Sequence, residues 1–214
     1  VLAGQGVSTT VVTDPFEAFA LLGTAEAGRG PRVDLVVVHA LRWRMDQDRY
    51  ASQRADHAVT LDPGDLAVID RFVRRGGGLL ALHTAVICFD ADPVWHALCG
   101  ASWRWDRSSH PPLGAAEVEV TGAGRDHPIT RGRNADERIN AVRTFTGQAF
   151  RIIGPASPLL VFPPETVLLL PYEAWKFSEA TPRIAADGML QGGALRVGRG
   201  RVAVFGEAAM FSAQ

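Results

Sequence analysis

The most informative chemical group in this sequence is a histidine that follows an apolar run. Gly76-Gly77-Gly78 precedes Leu-Leu-Ala-Leu, and His83 comes next. The glycines predict the end of a helix and the apolar residues predict a buried strand, so His83 falls at the strand's carboxyl end, where open α/β sheets build their sites. Imidazole titrates near neutral pH and is suited there to proton transfer or metal binding. The alternative is a histidine that only closes a buried strand end.

Three further histidines are candidates to join His83. His39 also ends a predicted strand, and the carboxyl ends of parallel strands meet at one edge of a sheet, so it is a candidate substrate-binding residue. His110 and His127 each precede a proline, which favours extended backbone and places both in loops or at strand ends. We take both as catalytic candidates that converge on the crevice of His83. The alternatives are a half-buried strand-end residue for His39 and surface or turn residues for the other two.

Carboxylates and tryptophans supply the remaining candidates. Glu137, beside Asp136, is a candidate acid or base or a partner that orients a histidine, with a solvated acidic pair as the alternative. Glu207 follows the last predicted strand and either contacts substrate or caps the next helix. Trp103 and Trp105 are candidate stacking surfaces for a sugar, with loop packing or an interface patch as the alternatives.

A metal centre stays open at this stage. Three histidines and a carboxylate can hold zinc or a similar divalent ion with open coordination positions, although no His-x-x-x-His spacing is present. The two cysteines, Cys88 and Cys99, lack the paired spacing of a zinc site and are interpreted as small buried hydrophobic residues.

The elements that must place these residues follow an α/β pattern. Apolar or β-branched runs alternate with helices that begin at Asp-Pro pairs, which is typical of a doubly wound sheet. The predicted strands of the first half are 8–13, 33–40 and 79–83; its predicted helices start at Asp14, Asp62 and Asp92 and end near Leu22, Arg75 and Cys99. Strands are also predicted at 115–121, 167–170, 194–197 and 201–205, with a hairpin turn at Gly198 to Gly200. These patterns predict a single three-layer α/β domain with a mostly parallel sheet and antiparallel C-terminal strands. The opening and closing residues suggest that 1–214 is cut at both ends.

Composition narrows the function. The formal net charge is −1, hydrophobic residues make up 47% and charged residues 21%, so we expect no nucleic acid and no membrane partner. The expected ligand is a small molecule, and the sequence leaves a homo-oligomer open. With no visible signal peptide, we favour a cytoplasmic location while leaving export open.

Several motifs carry a family resemblance. GGGLLALHTA, then WHALCG at 95–100, SHP at 109–111, and DHPIT at 126–130 with Asp136-Glu137 resemble the trehalose-utilisation ThuA-like family, over residues about 7–140. That family belongs to the class I glutamine amidotransferase-like superfamily, so the resemblance implies a flavodoxin-like fold. The last third is more similar to uncharacterised bacterial proteins of the same superfamily, and it has Glu207 where the superfamily often has a catalytic histidine.

The resemblance implies a role in carbohydrate metabolism. The expected ligand is trehalose or a keto-disaccharide, and an enzyme of this kind would be a hydrolase or lyase acting on a sugar derivative. His83 would be the acid/base or a metal ligand, assisted by His110, His127 and Glu137. Glutamine amidotransferases of this superfamily carry a cysteine where this chain has His83, so we predict that the protein is not a glutaminase. The alternative function is a non-catalytic member that binds a ligand or partner through the same crevice.

Overall fold

The computed structural model of the protein describes residues 6–62, 64–89, 92–102, 109–112, 114–132, 139–170 and 181–208. Its helices are α1 (Pro15–Glu26), α2 (Arg54–His57), α3 (Asp65–Arg74) and α4 (Pro93–Cys99). Its strands are β1 (Leu35–Val38), β2 (Gly78–Leu82), β3 (Ala101–Ser102), β4 (Ala115–Val120), β5 (Ala141–Phe145), β6 (Arg151–Ile152), β7 (Ser157–Val161), β8 (Val167–Leu169), β9 (Arg183–Ala185), β10 (Leu190–Val197) and β11 (Gly200–Phe205). None of the described helices is long and apolar enough to cross a membrane.

Seven of the strands form one mixed sheet in the order β1-β2-β11-β10-β7-β4-β5. β1, β2 and β11 are parallel to one another, whereas β10, β7, β4 and β5 are joined by antiparallel pairings. The predicted α/β flavodoxin-like class is confirmed. The sheet is not mostly parallel as predicted: four of its six strand pairings are antiparallel, because β5 and β7, which were not recognised as strands, extend its antiparallel part.

Helices cover the first face of the sheet. The Asp14 carboxylate accepts a hydrogen bond from the Phe16 N–H and caps α1, as the Asp-Pro pair predicts. α3 begins three residues after the predicted cap, Asp62, and the carboxylate of Asp65 accepts the backbone N–H of Asp62 at 2.7 Å. The predicted apolar face of α3 is buried in a core shared with α1, α4 and β2; its members are Leu66, Ile69, Phe72 and Val73.

A second core lies on the other face. Val118 of β4, Phe162 and Phe205 are buried there, together with Leu168 of β8 and Met189. The two-stranded sheet of β8 and β9 contributes to this cover. The sheet is therefore packed on both faces in its middle.

The first predicted strand is wrong, and β1 is covered less than predicted. Residues 8–13 form no strand, and Val11 is 82% exposed. A β-branched composition favours extended backbone but supplies no partner for its hydrogen bonds, so it does not make a strand alone. β1 is the edge strand of the described sheet, with Leu35 and Val37 exposed and Val36 half-buried. Burial on both faces was expected for β1, and the structure buries only one.

Candidate functional site at the ends of three parallel strands

Three neighbouring parallel strands end at one edge of the sheet. Val38 of β1 is aligned with Ala81 of β2, and Phe205 of β11 is aligned with Leu82 of β2. The residues that directly follow these strands are His39, His83 and Gly206-Glu207. The edge at which parallel strands end is where open α/β sheets bind ligands, so the predicted neighbourhood of His39 and His83 is present.

His83 has an unusual backbone conformation. Its φ is +54°, and it is the first residue of a short 3₁₀ turn over His83–Ile87 that begins directly after β2. A left-handed L-residue other than glycine costs about 1–2 kcal/mol, and such strain concentrates at functional sites. The hydroxyl of Thr84 donates to the carbonyl oxygen of Ala40 at 2.8 Å and joins this turn to the end of β1. The chain therefore makes a sharp strand-to-helix turn, and His83 is the first residue of that turn.

The two histidines at this edge are neighbours. The ring centroids of His39 and His83 are 6.1 Å apart, and their planes are inclined by 41°. His39 is exposed and His83 is half-buried. One imidazole is thus exposed to solvent, while the other lies deeper at the same edge of the sheet.

Glu207 is the buried anion of the site. Its side chain is 4% exposed, and both carboxylate oxygens accept backbone N–H groups, Oε2 from Phe145 at 3.1 Å and Oε1 from Ala208 at 2.7 Å. These two bonds hold the carboxylate in one orientation. The charge of Glu207 acts on His83 and favours the protonated form of its imidazole.

Burial nevertheless dominates the titration of His83. Loss of solvent lowers the pKa of its imidazole below the ordinary value; Glu207 opposes this change, and the nearby His39 adds to it. Burial therefore favours the neutral imidazole of His83, which is the form that can accept a proton. The imidazolium that forms is then stabilised by the charge of Glu207.

A loop that sequence analysis did not identify as part of the site crosses this edge. Thr146 and Gly147 both have positive φ, +57° and +83°, and lead into the buried Gln148. A Cβ on Gly147 would lie 2.5 Å from the carbonyl oxygen of Gly206, so only glycine fits there. The one sequence signal was this glycine, after two β-branched threonines that flank Phe145.

His110 is linked to this loop through the carbonyl oxygen of Pro111. It is 8% exposed, and its Nδ1 lies 2.7 Å from the carbonyl oxygen of Pro111, which also accepts the hydroxyl of Thr146 at 3.2 Å. A carbonyl only accepts, so Nδ1 of His110 carries the proton and Nε2 is the basic nitrogen. Burial lowers the pKa of His110, and the bond to Pro111 partly opposes that change.

The structure does not bring His127 to this edge. β4 is antiparallel to β7, β7 to β10 and β10 to β11, so β4 ends at the opposite side of the sheet from β11. The hydroxyl of Thr121, just after β4, donates to the carbonyl oxygen of Pro158 at the start of β7. His127 lies in the following turn, where its Nδ1 accepts the N–H of Ile129 at 3.3 Å. The expectation that it would converge on His83 fails because strand direction reverses across the sheet.

Four further candidate residues are not described by the structure. Glu137, Asp136, Trp103 and Trp105 lie outside the described residues. Among the described residues, no group of three or more His, Cys, Asp or Glu side chains is arranged to hold a metal ion. The zinc hypothesis therefore gains no support from the part of the chain that the structure describes.

Comparison of the fold with solved structures gives clear likenesses. A ThuA-like protein from Bacteroides uniformis superposes with a TM-score of 0.59 over 95% of this chain and 69% of its own, at 10% sequence identity. The fold is ThuA-like. The N-terminal domain of mmIFT52 is also similar, with a TM-score of 0.55 over 98% of this chain and 77% of that one, at 12% identity. No protein-family model and no curated protein matches the sequence.

The ThuA-like fold confirms the resemblance that the first 140 residues carry. At 10–12% identity the likeness establishes the ThuA-like architecture alone.

Proposed function

We propose that this ThuA-like protein acts on a carbohydrate, trehalose or a keto-disaccharide, through the crevice of His83, His39 and Glu207. The observation that carries the proposal is the left-handed His83 at the end of β2, with His39 on one side and the buried charge of Glu207 acting on it. The sugar class rests on the family resemblance and on the ThuA-like fold. His83 is the acid/base, and His39 is a rim residue that contacts the ligand.

The proposed chemistry is proton transfer. A neutral imidazole removes a proton from a sugar carbon beside a carbonyl, or from a water molecule, and holds it as imidazolium. These two uses correspond to a lyase and to a hydrolase. The charge of Glu207 lowers the free energy of the imidazolium form of His83. The N–H groups of Phe145 and Ala208 hold its carboxylate in place for this.

Glutamine hydrolysis is not part of the proposal. That reaction needs a thiolate at the strand-to-helix turn, and His83 occupies this place. Cys88 and Cys99 are 0% and 1% exposed, and burial raises the pKa of the Cys99 thiol. Neither is available as a nucleophile.

Histidine NMR together with a sugar panel tests the proposal. We expect trehalose or its keto derivative to shift the imidazole signals of His83 and His39 and to leave that of His127 unchanged. His83→Ala removes any turnover while the melting transition stays cooperative, and His57→Ala, which changes an exposed histidine of α2, is the matched control. Binding without turnover supports the non-catalytic alternative. Failure of every sugar to shift His83, or release of ammonia from glutamine, would overturn the proposal.

A further inference from the structure

The Gln148 side chain forms hydrogen bonds at the ends of two strands of the candidate site. Its side chain is buried, and in the orientation that satisfies its amide, the nitrogen donates to the carbonyl oxygens of His83 and Gly206, at 2.9 Å each. These carbonyls belong to the residues that directly follow β2 and β11. One amide group therefore bridges the ends of two parallel strands.

The bridge acts at the strained peptide. The Gln148 amide bonds the carbonyl of His83 itself, whose φ is +54°. A left-handed histidine persists only where its surroundings hold it, because an ordinary conformation is lower in energy. A buried hydrogen bond contributes a free energy of the same order as the strain it opposes.

The loop that carries Gln148 is itself firmly placed. The Gln148 N–H donates to the carbonyl oxygen of Gly206 at 2.8 Å, and the side-chain amide of Gln191 donates to that of Thr146 at 2.8 Å. Gly147 has no room for a Cβ against Gly206. The amide of Gln148 is thus delivered to His83 by backbone that cannot easily move.

We propose that Gln148 is a positioning residue that holds His83 in its left-handed conformation, and with it the imidazole between His39 and Glu207. The proposal takes from the proposed function only that His83 is the working residue. Gln148 acts through the His83 backbone. Its role can be measured without any substrate.

Gln148→Met tests this, because methionine keeps the length of the side chain and removes the donor. We expect the backbone carbon shifts of His83 to move away from left-handed values. We also expect the pKa of its imidazole to rise toward the ordinary value of about 6.5, because the ring moves out of its desolvated place. Among the described residues, the titratable groups that act on this ring are Glu207 and His39, and neither is changed.

Gln191→Leu is the matched control. It removes a buried amide bond to Thr146 of the same loop and leaves the His83 carbonyl bonded. We expect it to lower the melting temperature by a few degrees, with His83 unchanged. If Gln148→Met does not melt cooperatively, Gln148→Asn, which withdraws the amide by one methylene, replaces it with the same expected shifts.

Unchanged carbon shifts and an unchanged pKa of His83 in a folded Gln148 variant would overturn the positioning role. So would equal shifts in Gln191→Leu, since they would show a general loosening of the loop. These measurements use the free protein. Failure of every sugar to bind would contradict the proposed function and leave this result standing.

Discussion

His39 and His83 lie with their ring centroids 6.1 Å apart because the strands that carry them are parallel neighbours in one register. Each histidine is the first residue after its strand. His39 is exposed and His83 is half-buried, so the two rings lie at different depths at the same edge of the sheet. Glu207, at the end of the next strand over, completes the group.

Removal of the buried charge should make His83 harder to protonate. Because Glu207 raises the pKa of His83, we expect Glu207→Gln to lower that pKa further, as measured by NMR titration. Glu119→Gln, an exposed carboxylate of β4, is the control and should leave the titration of His83 unchanged. An unchanged pKa in Glu207→Gln would show that the two groups do not interact, and a rise would contradict a favourable interaction between them.

The strain at His83 should be visible in stability. Glycine adopts positive φ without the cost that alanine incurs, so we expect His83→Gly to be more stable than His83→Ala by about 1 kcal/mol in urea unfolding. At His39, which does not have a positive φ, the order should reverse, since glycine loses more backbone entropy on folding. Equal stability of the two His83 variants would contradict a left-handed conformation at this residue.

Stability should fall in mild acid. Burial lowers the pKa values of His83, His110 and His127 in the folded protein, while the unfolded chain titrates near 6.5. The unfolded state therefore binds more protons between these values, and the free energy of unfolding falls as the pH drops from about 6.5 through the folded pKa values. We expect His110→Gln, which cannot be charged, to show a shallower fall. A slope identical to that of the unchanged protein would exclude His110 from this effect.

Both cysteine thiols should be unreactive in the native protein. Cys88 donates to the carbonyl oxygen of Ala40 at 3.2 Å and accepts the Arg42 N–H at 3.3 Å, and Cys99 is 1% exposed. We expect a thiol-specific disulfide reagent to label neither cysteine until denaturant is added, and then to label both. Rapid labelling of one thiol in the folded state would reopen the question of a cysteine nucleophile.

Local patterns in the sequence predict the part of the site that two consecutive strands build. A glycine-bounded apolar run of strand length followed by histidine places His83, and the same pattern places His39. The Asp-Pro pairs start α1 and α4 where they predict, because a carboxylate cap and a proline at the first helical residue act within a few residues. The strand predicted for residues 8–13 does not form, because a strand needs a hydrogen-bonding partner, which a local sequence pattern does not supply.

Sequence alone determined that His39 and His83 follow two parallel strands and that His83 stands in place of a nucleophilic cysteine. Only the tertiary structure decided which other residues lie near His83. It brings in Glu207 and Gln148 from the last third of the chain and sends His127 to the opposite edge of the sheet. The physical reason is that the direction of each strand depends on hydrogen bonds to its neighbours, and no local pattern of residues encodes which neighbour that is.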